Sequence, residues 1–286
     1  MREISGTEIA KKIIDELKAK PKPEKILAVI LVGENPASIS FLNQKEKIAK
    51  ELGIDFRIYK FPESIKNDDL RQEANKIALL KKVGGVIVQL PLPEHLNKHY
   101  ILNVIPREKD VDVLGERALG AFYNGRNLVL PPAVNVVQKI IENCKLKIEN
   151  LRVAVVGLGF LVGKPIATWL IGKTKEIYLL DEGSDFGILK QADLVISGVG
   201  KAGLIKPEML KDGASIIDFG YNMENVTSDT RQKNSLVKKI LGDFDVSSLS
   251  MSPVALNFYT PTPNGTGPIL VAKLFENFYG LNNEKH

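Results

Sequence analysis

The sequence predicts an α/β protein of two domains, and three observations carry that expectation. Short apolar, β-branched runs alternate with stretches of helical periodicity, the order from which parallel sheets are built. The alternation occurs twice, on either side of a longer helical and irregular stretch, His95 to Ile148, which holds Pro106, Gly115, Gly120 and the Pro131–Pro132 pair. At 286 residues the chain is a little under two domains of roughly 150 residues each.

The elements follow in order. Ser5-Gly6-Thr7-Glu8 reads as a capping box, and Ile9, Ile13, Ile14 and Leu17 then recur on one face of an opening amphipathic helix. After the Pro21–Pro23 punctuation, Ile26–Val32 is apolar throughout and ends at Gly33, as a buried parallel strand requires. A loop over Glu34–Ser38 leads into a helix from about Ser38 to Leu52. Ile54–Phe61 reads as a second strand, Asp68–Lys82 as a second helix and Gly84–Leu90 as a third strand. From Leu151 the pattern is strand Arg152–Val156, glycine turn, helix Pro165–Ile171, then strands Ile177–Leu180, Leu194–Val199 and Ser215–Phe219. The stretch near Thr260–Pro268 is dense in Pro and Gly and reads as irregular.

Composition narrows the function classes. Hydrophobic residues make up 44% and charged residues 26%, which excludes disordered and fibrous classes. The balance of 39 Lys plus Arg against 34 Asp plus Glu leaves +5, an interleaved surface charge rather than a nucleic-acid patch. The single Cys144 excludes an internal disulfide and a Cys-rich metal site, so a reducing cytoplasmic setting is expected. No unbroken apolar run has the length of a membrane span, and the charged Met1–Lys20 stretch lacks a signal-peptide core, so neither membrane nor secretion is expected. His95 and His99 have the spacing of a helical metal pair, but nothing completes the set, and a solvated face without a metal is expected.

The strongest local signal is Val153-Ala-Val-Val-Gly157-Leu158-Gly159-Phe-Leu-Val-Gly163-Lys164-Pro165. An apolar strand there runs through glycines into a helix start, where free N–H groups and the helix dipole attract a pyrophosphate. Its spacing is one residue longer than the usual dinucleotide fingerprint, so a purely structural turn remains open at this point. Asp181 closes the following strand, where an acidic side chain accepts from ribose hydroxyls. In the first half, Phe41 and Lys45 lie four apart on one helix face. Gln89 sits at the carboxyl end of an apolar strand before Pro91 and Pro93, the end at which open α/β sheets bind ligands. Asp110 and Asp112, in Lys109-Asp110-Val111-Asp112, have three readings: a metal site, a grip on an amino-pyrimidine, or pairing with Arg107 and Lys109.

Together, Val32-Gly33-Glu-Asn-Pro36-Ala37-Ser38 with Lys45, Val88-Gln89-Leu90-Pro91-Leu92-Pro93, Lys109-Asp110-Val111-Asp112 and Thr260-Pro261-Thr262-Pro263-Asn264-Gly265-Thr266-Gly267-Pro268 resemble the bifunctional methylenetetrahydrofolate dehydrogenase/methenyltetrahydrofolate cyclohydrolase family. The resemblance covers nearly the whole chain in family order, and extends to Ala192–Lys201, Ile217–Asn222 and Leu241–Asp245. It implies an N-terminal α/β folate domain, residues 1–121 with 265–286, and a Rossmann-like NAD(P)-binding domain, 122–264, with a cleft between them. It also implies a homodimer, tetrahydrofolate substrates, and a place in the one-carbon metabolism that feeds purine biosynthesis. By the same resemblance Lys45 is the catalytic lysine, Gln89 its partner and Asp112 the carboxylate on the pterin ring. Phe41, Pro261, Pro263, Gly265 and Gly267 join them as substrate-binding residues. Gly157, Leu158, Gly159, Gly163, Lys164, Asp181, Gly198, Gly200 and Tyr221 are then the cofactor-binding residues.

Three departures from the family pattern carry expectations of their own. The family tyrosine is Phe41 here, which keeps a stacking ring and removes a hydroxyl. The family Gly-Arg-Ser is Gly157-Leu158-Gly159, without the side chains assigned to the ribose phosphate. The family Pro-Cys-Thr-Pro-x-Gly is Pro131-Pro132-Ala133-Val134-Asn135-Val136. NADP is the family default, whereas Asp181 and the missing Arg-Ser argue for NAD. Two rival readings are another two-domain nicotinamide-dependent dehydrogenase and a folate- or dinucleotide-binding protein with an eroded site.

Overall fold

The computed structural model describes residues 2–227 and 236–283, and the chain forms two compact units. The first comprises Ala10–Asn135 and the residues from Leu270 onward; the second comprises the residues up to Ile9 and Val136–Ile269. The elements, in chain order, are β1 (Arg2–Glu3), α1 (Gly6–Lys18), β2 (Ile26–Val32), α2 (Pro36–Leu52), β3 (Phe56–Phe61), α3 (Asn67–Leu79), β4 (Val83–Val88), α4 (Lys98–Leu102), α5 (Glu116–Tyr123) and α6 (Pro132–Cys144). They continue as β5 (Arg152–Val156), α7 (Gly163–Leu170), β6 (Glu176–Leu180), β7 (Leu194–Ser197), β8 (Ser215–Asp218), β9 (Asn222–Thr227), β10 (Leu236–Leu241), β11 (Phe258–Tyr259) and α8 (Thr266–Asn283).

The first unit is built on a three-stranded parallel sheet in the order β3-β2-β4. β2 is central and buried at every residue, which is why its sequence is apolar throughout. α3 presents Leu70, Ala74, Ile77 and Ala78 as one buried stripe, and opens on Asp68 and Asp69, whose charges suit a helix N-terminus. It stops at Leu79, short of the expected Lys82, because Leu80 turns into β4. Within this unit α8 contributes the fully buried Phe275 and Phe278. Burying each such side chain is worth about 1.5–3 kcal/mol. Gly85 in β4 makes room for them, since a Cβ there would lie 2.7 Å from the Phe278 ring and 2.8 Å from Val111.

The second unit carries a six-stranded, wholly parallel sheet in the order β6-β5-β7-β8-β11-β1. Val156, Val195, Ile216 and Phe244 anchor one of its buried faces. β9 and β10 form a separate antiparallel ribbon. Ser5 Oγ accepts from the Glu8 N–H at 3.3 Å, the capping contact expected at the start of α1.

The expected boundary at 121 falls inside α5 and the one at 265 in an irregular stretch, whereas the compact units divide inside α1, α6 and α8. Residues up to Ile9 go with the second unit through β1, which pairs with β11. Pattern reading also passed over β1, β9, β10, β11 and the helical nature of α8. β1 and β11 are two residues long, and β9 is polar along most of its length.

Candidate active site

In the first unit the strand order places β2 between β3 and β4, so the chain reverses direction of winding between β2 and β4. Ligands of open α/β sheets bind at such a switch point, beyond the carboxyl ends of the strands. α2 follows β2 there, and Gln89 follows β4. The Asn35 side-chain oxygen accepts from the Ser38 N–H at 3.1 Å, fixing the start of α2. Phe41 and Lys45 then share one face of that helix, both half-buried.

Lys45 Nζ donates to Gln89 Oε1 at 2.9 Å. Gln89 Nε2 donates to its neighbour's carbonyl, Leu90 O, at 2.8 Å, which leaves Oε1 turned toward the lysine. Gln89 is buried and its own N–H is held by Ile30 O, so the amide is fixed at both ends. Burial pushes the Lys45 amine below its ordinary range, and the nearby Asp112 charge opposes that shift. Burial pushes the Asp112 carboxyl up, and the Lys45 charge opposes it in turn. Desolvation thus favours the neutral form of each group while their mutual attraction favours the charged pair.

The residues around Asp112 have separate tasks. Lys109 Nζ donates to the Ala78 and Leu80 carbonyls at 2.6 and 3.1 Å, closing the C-terminal end of α3. Asp110 Oδ2 accepts from the Leu114 and Gly115 N–H groups at 2.9 and 2.8 Å. Of the three readings of the Asp110–Asp112 pair, a backbone clamp at Asp110 was not among them. Burial, foremost, pushes the Asp110 carboxyl up to about 7. The clamp holds buried Val113 at φ 57°, a left-handed backbone that costs a β-branched residue roughly 1–2 kcal/mol. From α8, the buried Asn277 donates to Val111 O at 2.9 Å and to Leu130 O at 2.8 Å. Asp112 is therefore held between two fixed neighbours and is left facing the lysine.

The second unit has the same kind of switch point, between β5 and β7. Gly157 ends β5 at φ +84°, and a Cβ there would lie 2.9 Å from the Gly198 carbonyl oxygen, so the two turns approach backbone to backbone. Gly163, at the first position of α7, packs against the Gly157 carbonyl, whereas the Cβ directions of Gly159 and Gly200 are open. Leu158 and Gly198 are half-buried, and Lys164 is exposed at the start of α7. Asp181 follows β6 and is exposed, with its N–H donating to Ser184 Oγ at 2.9 Å. Tyr221 is half-buried just before β9. The segment carrying Pro261, Pro263, Gly265 and Gly267 also belongs to the second unit, where Gly6 N–H donates to Asn264 O at 2.8 Å.

The structure thus brings Lys45, Gln89 and Asp112 together, and it gathers the Gly157–Gly163 and Gly198–Gly200 turns at one sheet edge. Sequence reasoning assigned no task to Asp243 or Asn277, and no local signal marks either: Asp243 stands in Gly242-Asp243-Phe244-Asp245. His95 lies outside α4, its Nε2 3.1 Å from Ile65 O, so it shares no helix with His99. Among the described residues no three His, Cys, Asp or Glu side chains cluster as metal ligands, and no helix is long and apolar enough to cross a membrane.

Residues 4–112 match the tetrahydrofolate dehydrogenase/cyclohydrolase catalytic domain, and residues 131–286 match the NAD(P)-binding domain of the same family. The bifunctional protein FolD of Mycoplasmopsis synoviae (strain 53) is 36% identical over 288 residues, covering 97% of this chain and 98% of that protein. The structure of the bifunctional enzyme FolD, a methylenetetrahydrofolate dehydrogenase/cyclohydrolase from Campylobacter jejuni, is 31% identical, covers 99% of each chain and has a TM-score of 0.88. The Trypanosoma brucei methylenetetrahydrofolate dehydrogenase-cyclohydrolase, complexed with NADP cofactor and inhibitor, is 26% identical with a TM-score of 0.88, over 99% of this chain and 97% of that one. On these matches, which span both units, the chain belongs to the tetrahydrofolate dehydrogenase/cyclohydrolase family.

Proposed function

We propose that Lys45, Gln89 and Asp112 form the reacting end of this enzyme, and the 2.9 Å bond from Lys45 Nζ to Gln89 Oε1 is the observation that carries the proposal. The enzyme is a methylenetetrahydrofolate dehydrogenase and methenyltetrahydrofolate cyclohydrolase: it oxidises methylene-tetrahydrofolate and hydrolyses the methenyl cation to formyl-tetrahydrofolate. In our reading Asp112 accepts two hydrogen bonds from the amino-pyrimidine edge, which sets the position of the one-carbon bridge. A cationic methenyl group near Lys45 lowers the lysine further by like-charge repulsion, in the direction burial already takes it. The neutral amine gives one N–H to Gln89 and turns its lone pair to a water, taking a proton as the water adds to the methenyl carbon. Phe41 supplies a flat apolar face for the folate ring; the assignment of Pro261, Pro263, Gly265 and Gly267 to the substrate rests on the family resemblance alone.

The second unit fits a nicotinamide dinucleotide. The left-handed Gly157, the open Cβ directions at Gly159 and Gly200 and the N-terminus of α7 together leave room for a dinucleotide to approach the backbone closely. Gly157, Leu158, Gly159, Gly163, Lys164, Gly198, Gly200 and Tyr221 would hold it, with Asp181 on the adenosine ribose. When bound, the cofactor supplies the hydride acceptor. The finer reading is that NAD serves at least as well as NADP, because Leu158 brings no charge to a ribose phosphate and Asp181 repels one. A homodimer in the cytoplasm is part of the same reading and rests on family membership.

The test is turnover of methylene-tetrahydrofolate with each dinucleotide, following methenyl formation and decay spectroscopically. Formation and decay together are expected, with NAD at least as effective as NADP. Binding of both ligands without turnover would instead identify an eroded site.

A further inference from the structure

Asp243, one residue into the turn after Gly242, has no part in the chemistry described above. It is wholly buried, and its carboxylate collects four donors. Oδ2 accepts from Ser197 Oγ and the Val199 N–H, both at 2.7 Å; Oδ1 accepts from the Gly200 and Lys201 N–H groups, both at 2.9 Å. Three consecutive backbone N–H groups therefore converge on one side chain more than forty residues away. Such a nest of N–H groups is an anion site by geometry, and here the anion is internal. The segment after Asp243 is fixed as well: Phe244 N–H donates to Asp218 Oδ2 at 2.9 Å, and Gly220 N–H to Asp218 Oδ1 at 2.6 Å. Asp218 N–H is itself held by Thr260 Oγ1 at 2.7 Å.

We infer that Asp243 is a positioning residue for the dinucleotide, presetting the Gly198–Lys201 turn in its bound conformation through four hydrogen bonds. The inference rests on the reading that this turn meets the cofactor. Without the carboxylate the turn would have three orphaned N–H groups and a glycine at φ +77°, and would sample many conformations. Part of the binding free energy would then go into ordering it.

The experiment compares wild type, Asp243→Asn, Asp243→Ala and Ser197→Ala as full-length enzymes. Each is assayed for dehydrogenase kcat and for KM toward NAD and NADP, with amide hydrogen exchange of 197–201 measured with and without dinucleotide. Asp243→Asn keeps one acceptor oxygen and should raise the dinucleotide KM about tenfold with a smaller change in kcat, while amide exchange at 199–201 accelerates. Asp243→Ala should exceed it, and Ser197→Ala, which removes one donor of four, should change KM only about twofold. A loss of kcat with unchanged KM would show only a falling folded fraction and would overturn the inference. Unchanged exchange in Asp243→Asn would overturn the clamp itself. In wild type, a turn whose exchange ignores saturating dinucleotide would instead overturn the cofactor reading on which the inference rests.

Discussion

Each unit buries a pair of aspartates, and the two pairs are used differently. In the first unit Asp110 clamps the backbone at Leu114 and Gly115, and Asp112 is left to face Lys45. In the second unit both members clamp backbone: Asp218 holds Gly220 and Phe244, and Asp243 holds the turn from Val199 to Lys201. In the proposed reading the first unit meets its ligand with side chains, and the second with the backbone of a clamped turn. A site of side chains is broken by changing what those side chains are. A site of peptide groups is broken by changing what holds them.

The largest expected effect falls on the first kind of site. Lys45→Met should lower methenyl-tetrahydrofolate hydrolysis by about a hundredfold or more, the usual contribution of a general base, in a protein whose thermal melt is unchanged. Near-normal hydrolysis in the folded variant would move the lysine out of the mechanism. Asp112→Ala should weaken folate binding by on the order of 2 kcal/mol or more while leaving dinucleotide binding alone. A titration in which both affinities fall together would erase the distinction between the two units.

Buried acids sharpen the comparison through pH. Asp110 and Asp218 are both pushed up to about 7, burial being the main cause in each. A carboxyl whose folded value lies above its unfolded one destabilises the fold when ionised, so stability is lost as pH rises from about 4 through about 7. Leu114 and Gly115 both donate to Asp110 Oδ2, so Asp110→Asn retains an acceptor for these two bonds while it removes the charge. It should stabilise the protein at pH 8 by on the order of 2 kcal/mol and by little at pH 4, measured by urea unfolding. Asp218 uses both oxygens, so Asp218→Asn must orphan one N–H and should show no such gain.

The smallest effect concerns cofactor choice. Asp181→Ser should shift the ratio of NAD to NADP specificity constants toward NADP by a few-fold, on the order of 1 kcal/mol for an exposed charge. A strong NADP preference in wild type, untouched by the substitution, would mean that another group, with Lys164 first in line, reads the phosphate.

Side-chain sites are the more legible in sequence. Gln89 interrupts the end of an apolar strand and Asp112 stands between Val111 and Val113, whereas Lys45, in Asn43-Gln44-Lys45-Glu46-Lys47, was singled out by its place beside Phe41 and by the family resemblance; the central strands β2, β5 and β7 were found from their unbroken apolar runs. Asp243 and Asn277 were not assigned because their meaning lies in their partners: Asp243 meets donors at 197–201, and Asn277 reaches a carbonyl 166 residues away. Nothing local distinguishes a clamp from a solvated aspartate. β9 escaped notice because its residues alternate too weakly in polarity, and the unit boundaries because they lie within helices, where no punctuation marks them.

Those boundaries have a consequence for how the chain is made. The first unit begins at Ala10 but is completed only by residues from Leu270 onward, which bring Phe275, Phe278 and the Asn277 bonds to Val111 and Leu130. A ribosome delivers the chain from its N-terminus, so most of the lysine-bearing unit emerges before Val136–Ile269 of the nucleotide unit, yet it is completed only after them. Until α8 is released, Gly85 lacks the Phe278 ring that packs against it. A nascent chain stalled before Leu270 would thus expose its apolar sheet face to chaperones or to other chains.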